Sequence, residues 1–269
     1  MDSITFERLR ALVYENSGIS LKETKEAMVS ARLAKRMRVL GINTHKQYLR
    51  YIEQDVSGNE ITRFLDVIAT NVTSFFREIQ HFDFLKTILS NWIANGKTKI
   101  RVWSAAASTG EEALSIAMTI LDTIGERQCD FKILATDIST SVLASAQKGL
   151  YETTQMHNVP EAFRRRFFVP VKTPSGAGFQ ARAELMQHIV YRRLNLSRTP
   201  FPMRGQLDIV FCRNVMIYFD EATRKSLVEE IYRQLLPGGY LLTGHAESLS
   251  SLKTDFTYIR PTIYQKNNR

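Results

Sequence analysis

The chain reads as an α/β protein, a parallel sheet with helices on both faces, preceded by a small all-helical domain. Three observations predict this. From Lys99 onward, strand-like and helix-like segments alternate, the pattern that builds a parallel sheet. The run from Arg101 to Glu112, RVWSAAASTGEE, opens a strand into a loop of small residues and then a helix. Residues 1 to about 72 carry helical periodicity alone.

Phe6, Leu9 and Val13 repeat at helical spacing, and this first helix ends before Gly18. Ser20 and Glu23 form a capping box for a second helix reaching Leu40, closed by Gly41. Thr44 and Gln47 repeat the device for a third, and Ile61, Phe64, Leu65 and Ile68 give a fourth its core face. These helices make a domain over residues 1–75. Between Met28 and Leu40 the second helix has no acid, and Arg32, Lys35 and Arg36 share one face, with Arg38 following. That face is either simply solvated or a dock for an acidic helix or a polyanion.

After Asn71 comes NVTSFFRE, then a helix from Gln80 to Asn95 ended by Gly96, so that residues 76–97 link the small domain to a larger one over 98–269. There FKILATD is a second strand, followed by a helix to Gly149. The proline- and glycine-bearing stretch 169–182 is a small antiparallel excursion. Ile189 to Leu194 and Leu207 to Cys212 are further strands, and Asp220 caps a helix whose Leu227, Val228, Ile231 and Leu235 face the sheet. Pro237-Gly238-Gly239 turns into YLLTG, and FTYIRPTIYQK closes with strand-like residues.

The small-residue loop carries the chemistry. Ala105, Ala106, Ala107, Ser108 and Gly110 let a ligand approach the backbone, and the helix starting near Glu111 points N–H groups toward it. Asp137, 27 residues after Gly110, closes a nucleoside-binding βαβ unit, where a carboxylate can take both ribose hydroxyls. The loop has one glycine where a dinucleotide fingerprint has three. Glu111 and Glu112 would repel a pyrophosphate and suit a ligand with positive charge. S-adenosylmethionine has a ribose, an adenine, a sulfonium and an ammonium, and no phosphate. The plainer alternative has Glu111 only capping its helix.

At 269 residues and 44% hydrophobic, the chain can build one large domain and a small companion. No run approaches the ~20 apolar residues of a membrane span, and MDSITFERLR lacks a signal-peptide core. Cys129 and Cys212 form no CxxC, and the five histidines are scattered, which points to reduced thiols, a cytoplasmic setting and no metal. The net charge of +9 asks for an acidic partner without choosing among nucleic acid, membrane surface and protein.

Together NVTSFFRE, RVWSAAASTGEE, ATDIS, Asn195-Leu196, FCRNVMIYF, LLPGGYLLTGHAES and Tyr264 resemble the chemotaxis receptor methyltransferases, the CheR-type protein-glutamate O-methyltransferases, over nearly the whole chain. The resemblance implies a class I (Rossmann-like) S-adenosylmethionine-dependent methyltransferase fold, with a short antiparallel β-subdomain inserted at about 169–192. It implies cofactor contacts from Asn71, Thr73, Arg77, Glu112, Asp137, Asn195, Leu196, Arg213 and Asn214. Asp137 would take the ribose, Asn195 and Leu196 would frame the adenine, and Glu112 would face the positive end of the methionine part. Arg77 and Tyr218 would be the catalytic pair, nearest the methyl group and the incoming glutamate.

The implied products are a glutamate 5-O-methyl ester and S-adenosylhomocysteine, made for sensory adaptation. A glutamate with a pKa near ~4.3 is already ionised at neutral pH, so in-line displacement needs no general base, and the sequence offers no obvious His–acid pair. Arg32, Lys35, Arg36 and Arg38 would dock the acidic methylation helices of chemoreceptors. Some members of the family grip a short peptide at the receptor's C-terminus with the β-subdomain, and the loop from Pro174 to Gly178 fits either kind. Where the family usually reads GEEPYS, this chain reads GEEALS from Gly110 to Ser115; the proline helps a helix start but is not required.

Two rival functions are compatible with parts of the sequence. A nucleic-acid methyltransferase is permitted by the charge. Yet Arg213-Asn214-Val215-Met216 stands where amino-methylating enzymes carry N/D-P-P-Y/F, and Cys212 ends an apolar strand. A regulator that binds the cofactor without chemistry would show binding and no turnover.

Overall fold

Four helices come first in the computed structural model, which describes residues 1–203 and 205–268. They are Ser3–Ser17 (α1), Glu26–Leu40 (α2), His45–Gln54 (α3) and Asn59–Ile68 (α4). Leu9, Val13, Leu33, Tyr48 and Phe64 fill their shared core. Gly18 and Gly41 end α1 and α2 in the left-handed conformation, where a Cβ would be strained. The Thr44–Gln47 capping box of α3 forms in both directions. The Ser20–Glu23 box does not: residues 23–25 make a 3₁₀ turn, and α2 starts at Glu26 without a side-chain cap. Ser20 has a stronger engagement, its N–H donating to the Tyr218 carbonyl at 2.8 Å beside a bridge between Ile19 and Phe219.

Gln80–Ala94 (α5), the helix read as a linker, buries Phe82, Leu85, Ile88 and Leu89 in the larger core, against Glu111–Ile124 (α6). The strands are Lys99–Ser104 (β1), Asp130–Asp137 (β2), Leu150–Glu152 (β3), Phe168–Thr173 (β4), Gly176–Ala181 (β5), Ile189–Arg193 (β6), Leu207–Cys212 (β7), Leu235–Thr243 (β8), Phe256–Arg260 (β9) and Ile263–Lys266 (β10). Thr140–Lys148 (α7), Glu161–Phe167 (α8), Ala183–Met186 (α9) and Glu221–Gln234 (α10) complete the elements.

The main sheet has the order β6-β2-β1-β7-β8-β10-β9. Its first five strands are parallel, and the closing hairpin is antiparallel, so the sheet is mixed rather than all parallel. β7 is buried at every position, as a central strand covered on both faces must be. β3, β5 and β4 make a separate antiparallel sheet. This subdomain therefore begins at Leu150, earlier than residue 169, and ends before β6, which belongs to the main sheet. A three-residue strand such as β3 is too short to leave a period in the sequence. Strand order reverses around β1, with β2 on one side and β7 on the other. The carboxyl ends flanking such a switch point are where open α/β sheets bind ligands.

Candidate active site

A cavity of about 540 Å³ lies at that switch point, between the strand ends and the helical domain, within the usual size range for a small-molecule site. Its buried end is acidic. Asp137, at the tip of β2, accepts N–H donors from Ser108 (2.9 Å) and Ser139 (3.0 Å). Burial nevertheless pushes its carboxyl above the ordinary range. Glu112, on the first turn of α6, accepts from Ser104 Oγ (2.7 Å) and from Arg213 Nη1 (3.0 Å), and burial raises it as well despite the arginine. Gly110 turns the chain into α6 at φ +97°, and a Cβ there would stand 2.9 Å from the Tyr151 hydroxyl. Tyr151 in turn donates to the Thr109 carbonyl at 2.8 Å, so the root of the antiparallel subdomain braces this loop.

Arg213, just past β7 and only 4% exposed, is held on two sides, by Glu112 and by Glu78 at 3.0 Å each. It also donates to the Arg77 carbonyl. Asn214 takes a left-handed φ of 59°, and its N–H donates to Glu247. Glu247 accepts from Gly244 and Ile217 N–H groups too, and so fixes the loop from Asn214 to Tyr218.

The mouth is basic. Lys22, Lys25, Arg32 and Arg77 line it, together with Tyr218, Val72 and Ile217. Arg77 donates one N–H to the Val72 carbonyl at 3.0 Å. Arg32 reaches the Ile68 and Ala69 carbonyls at the C-terminus of α4, where a cation is favoured. No histidine lines the cavity among the described residues.

All nine residues expected at the cofactor, and Tyr218, line this one cavity. Two details differ from expectation. The Asn195 side chain is already engaged, its Nδ2 donating to the Asn16 carbonyl (2.8 Å) and its Oδ1 accepting from Ser197, so it ties the helical domain to the end of β6 rather than offering its amide to an adenine. The basic face of α2 is divided. Arg36 makes a fork pair with Glu60, deep against Tyr48, so it is not free to dock anything. Arg32 lines the cavity, while Lys35 and Arg38 are exposed on the outside. The sequence reading missed Lys22, inside the expected capping box, and Lys25, just after it. It also missed Glu78 and Glu247, which meet Arg213 and Asn214 only through the tertiary fold.

The residues fit S-adenosylmethionine: a carboxylate at a strand tip for diol hydroxyls, a second at a helix start for positive charge, and the small side chains of Ala105, Ala106 and Ser108 in the cavity wall for close approach. The fold and this site define a class I S-adenosylmethionine-dependent methyltransferase. Family models agree: "CheR methyltransferase, SAM binding domain" matches residues 71–265, and "CheR methyltransferase, all-alpha domain" matches residues 4–69. The chain belongs to the CheR methyltransferase family. It is 38% identical over 259 residues to a chemotaxis protein methyltransferase of Escherichia coli, covering 96% of this chain and 89% of the relative. It is 37% identical to one of Borreliella burgdorferi, covering 97% and 93%, and 36% identical to a probable one of Rhizobium etli, covering 94% and 96%.

Proposed function

We propose that this chain methylates glutamate side-chain carboxylates of chemotaxis receptors, giving glutamate 5-O-methyl esters and S-adenosylhomocysteine for sensory adaptation. The observation that carries the reading is the polarity of the cavity, an acidic buried end beneath a mouth lined by Lys22, Lys25, Arg32 and Arg77. A cationic cofactor matches the first and an anionic acceptor the second. The names of the curated relatives support the chemotaxis setting.

When bound, S-adenosylmethionine supplies an electrophilic methyl group. Asp137 holds ribose hydroxyls, and Glu112 faces the positive end of the methionine part. Asn71, Thr73 and Asn214 contribute from the cavity wall, and Leu196 packs on the nucleoside. Arg77 orients the acceptor carboxylate through its planar fork, and Tyr218 donates to the second oxygen. The carboxylate arrives ionised, so a lining without histidine lacks nothing. Its attraction to the guanidinium must stay loose enough to leave a lone pair for the methyl carbon. Lys22 and Lys25 steer an acidic receptor helix toward the mouth, with Lys35 and Arg38 extending that surface.

The test is to incubate the protein with methyl-labelled cofactor and receptor-rich membranes, then treat the product with mild alkali. Label in a receptor band that leaves as methanol is the expected result. Alkali-stable label, or label in added nucleic acid, would overturn the substrate assignment and leave the fold untouched.

A further inference from the structure

Glu78, Arg213 and Glu112 form a buried acid–base–acid row, with each ion pair at 3.0 Å. The row has one more acid than base. With Arg213 and Glu112 alone, the pair would be neutral and Glu112 would have little charge to offer a ligand. Glu78 lies behind Arg213 at a left-handed φ of 57°, and Asn214, facing it, is at 59°. Two non-glycine residues in this region are maintained only where the surroundings enforce them. The Glu78 carboxylate accepts from Asn214 Nδ2 (3.3 Å) and from His245 N–H (3.4 Å), both at Oε1. Its Oε2 is turned to Arg213 and, at 3.5 Å, to buried His81.

We propose that Glu78 is a specificity-determining residue: by neutralising Arg213 from the side opposite Glu112, it leaves the row with one net negative charge reserved for the cationic methionyl end of the cofactor. Burial opposes charge on both acids, yet Arg213 and the neighbouring N–H donors carry Glu78 below its ordinary value. Such a row is expensive to form without a ligand and is relieved by one, as expected of charge held ready rather than charge that stabilises the fold.

Glu78→Gln tests this, because Gln retains an oxygen for Asn214 and His245 and removes only the charge. Three ligands form a ladder in their cationic groups: methylthioadenosine has none, S-adenosylhomocysteine adds an ammonium balanced by its own more distant carboxylate, and S-adenosylmethionine adds an unbalanced sulfonium. Calorimetric affinities in Glu78→Gln should fall by no more than about twofold for the first, about threefold for the second and about tenfold for the third. Equal losses for all three, or no loss, would overturn the proposal and make Glu78 merely structural. Glu78→Gln/Arg213→Gln returns the row to one negative charge and should restore the graded preference; a still flatter ladder would count against it. Should neither variant fold, the native protein gives its own answer. A row already at one negative charge releases almost no proton when S-adenosylmethionine binds at pH 7, as judged from binding heats in two buffers. Release of close to one proton would mean that the row is neutral before binding, against the proposal.

Discussion

Glu112 and Asp137 at the buried end of the cavity differ from Lys22 and Lys25 at its mouth in more than sign. Each acid is fixed by two donors and shielded from water. Both lysines are exposed on long stems beside a 3₁₀ turn. Fixed groups suit a small ligand of constant shape, since their ordering cost is met on folding. Solvated cations suit a macromolecular surface that varies in outline, attracting it at range without demanding one geometry. Arg77 and Tyr218 line the same cavity, and under the proposed function they are where an acceptor would meet the cofactor.

The largest effect expected on this contrast comes from Arg77→Ala. Turnover on receptor should fall by about a hundredfold or more, because a misplaced acceptor loses alignment, while S-adenosylhomocysteine affinity changes far less. Near-native turnover would remove Arg77 from the boundary. Asp137→Ala should next weaken cofactor binding by roughly tenfold to a hundredfold in calorimetry, the worth of charge-assisted hydrogen bonds. An unchanged affinity would refute its ribose role.

Gly244→Ala attacks the buried end from behind. A Cβ at Gly244 would lie 2.5 Å from Asn214 Nδ2 and 2.7 Å from Glu247 Oε2, so the loop carrying Asn214 and Tyr218 must shift. A loss of about 1–3 kcal/mol in denaturant stability, with weaker cofactor binding, is expected. His81 gives a smaller, pH-dependent effect. It packs against Glu78, Arg213, His245, Arg260 and Thr262, and burial, helped by the arginine charge, lowers its pKa to about 3. The native state keeps it neutral while an unfolded chain protonates it below about pH 6.5, so stability drops as pH falls from there toward 3. Between pH 7 and 5 this group should account for about 2 kcal/mol of loss by chemical denaturation, absent in His81→Gln. Identical losses in both proteins would assign the acid sensitivity elsewhere.

Local devices were legible in the sequence, and tertiary partnerships were not. Gly18, Gly41, the Thr44–Gln47 box and Asp220 act through neighbours within a few positions, so their residue types announced them. Asp137 was readable because a carboxylate at the end of an apolar strand has little structural use there. Ser20 carried the same capping signal as Thr44, but the distant 3₁₀ turn ending at Tyr218 claimed its backbone N–H. Helical spacing correctly put Arg36 beside Arg32 and could not reveal Glu60, which lies on another helix and buries it. Glu78 and Glu247 carry no signal of their own in the sequence, since their partners are brought to them only when three remote loops meet at the strand ends.

The division between the two ends is tested most directly by one calorimetric comparison. S-adenosylhomocysteine would be titrated into the native protein and into Lys22→Glu/Lys25→Glu, alongside the receptor KM of each at moderate salt. The predicted result is an affinity within about twofold of native and a KM raised about fivefold or more. A cofactor affinity that falls as much as the KM rises would contradict it, because the mouth and the buried end would then be a single binding site.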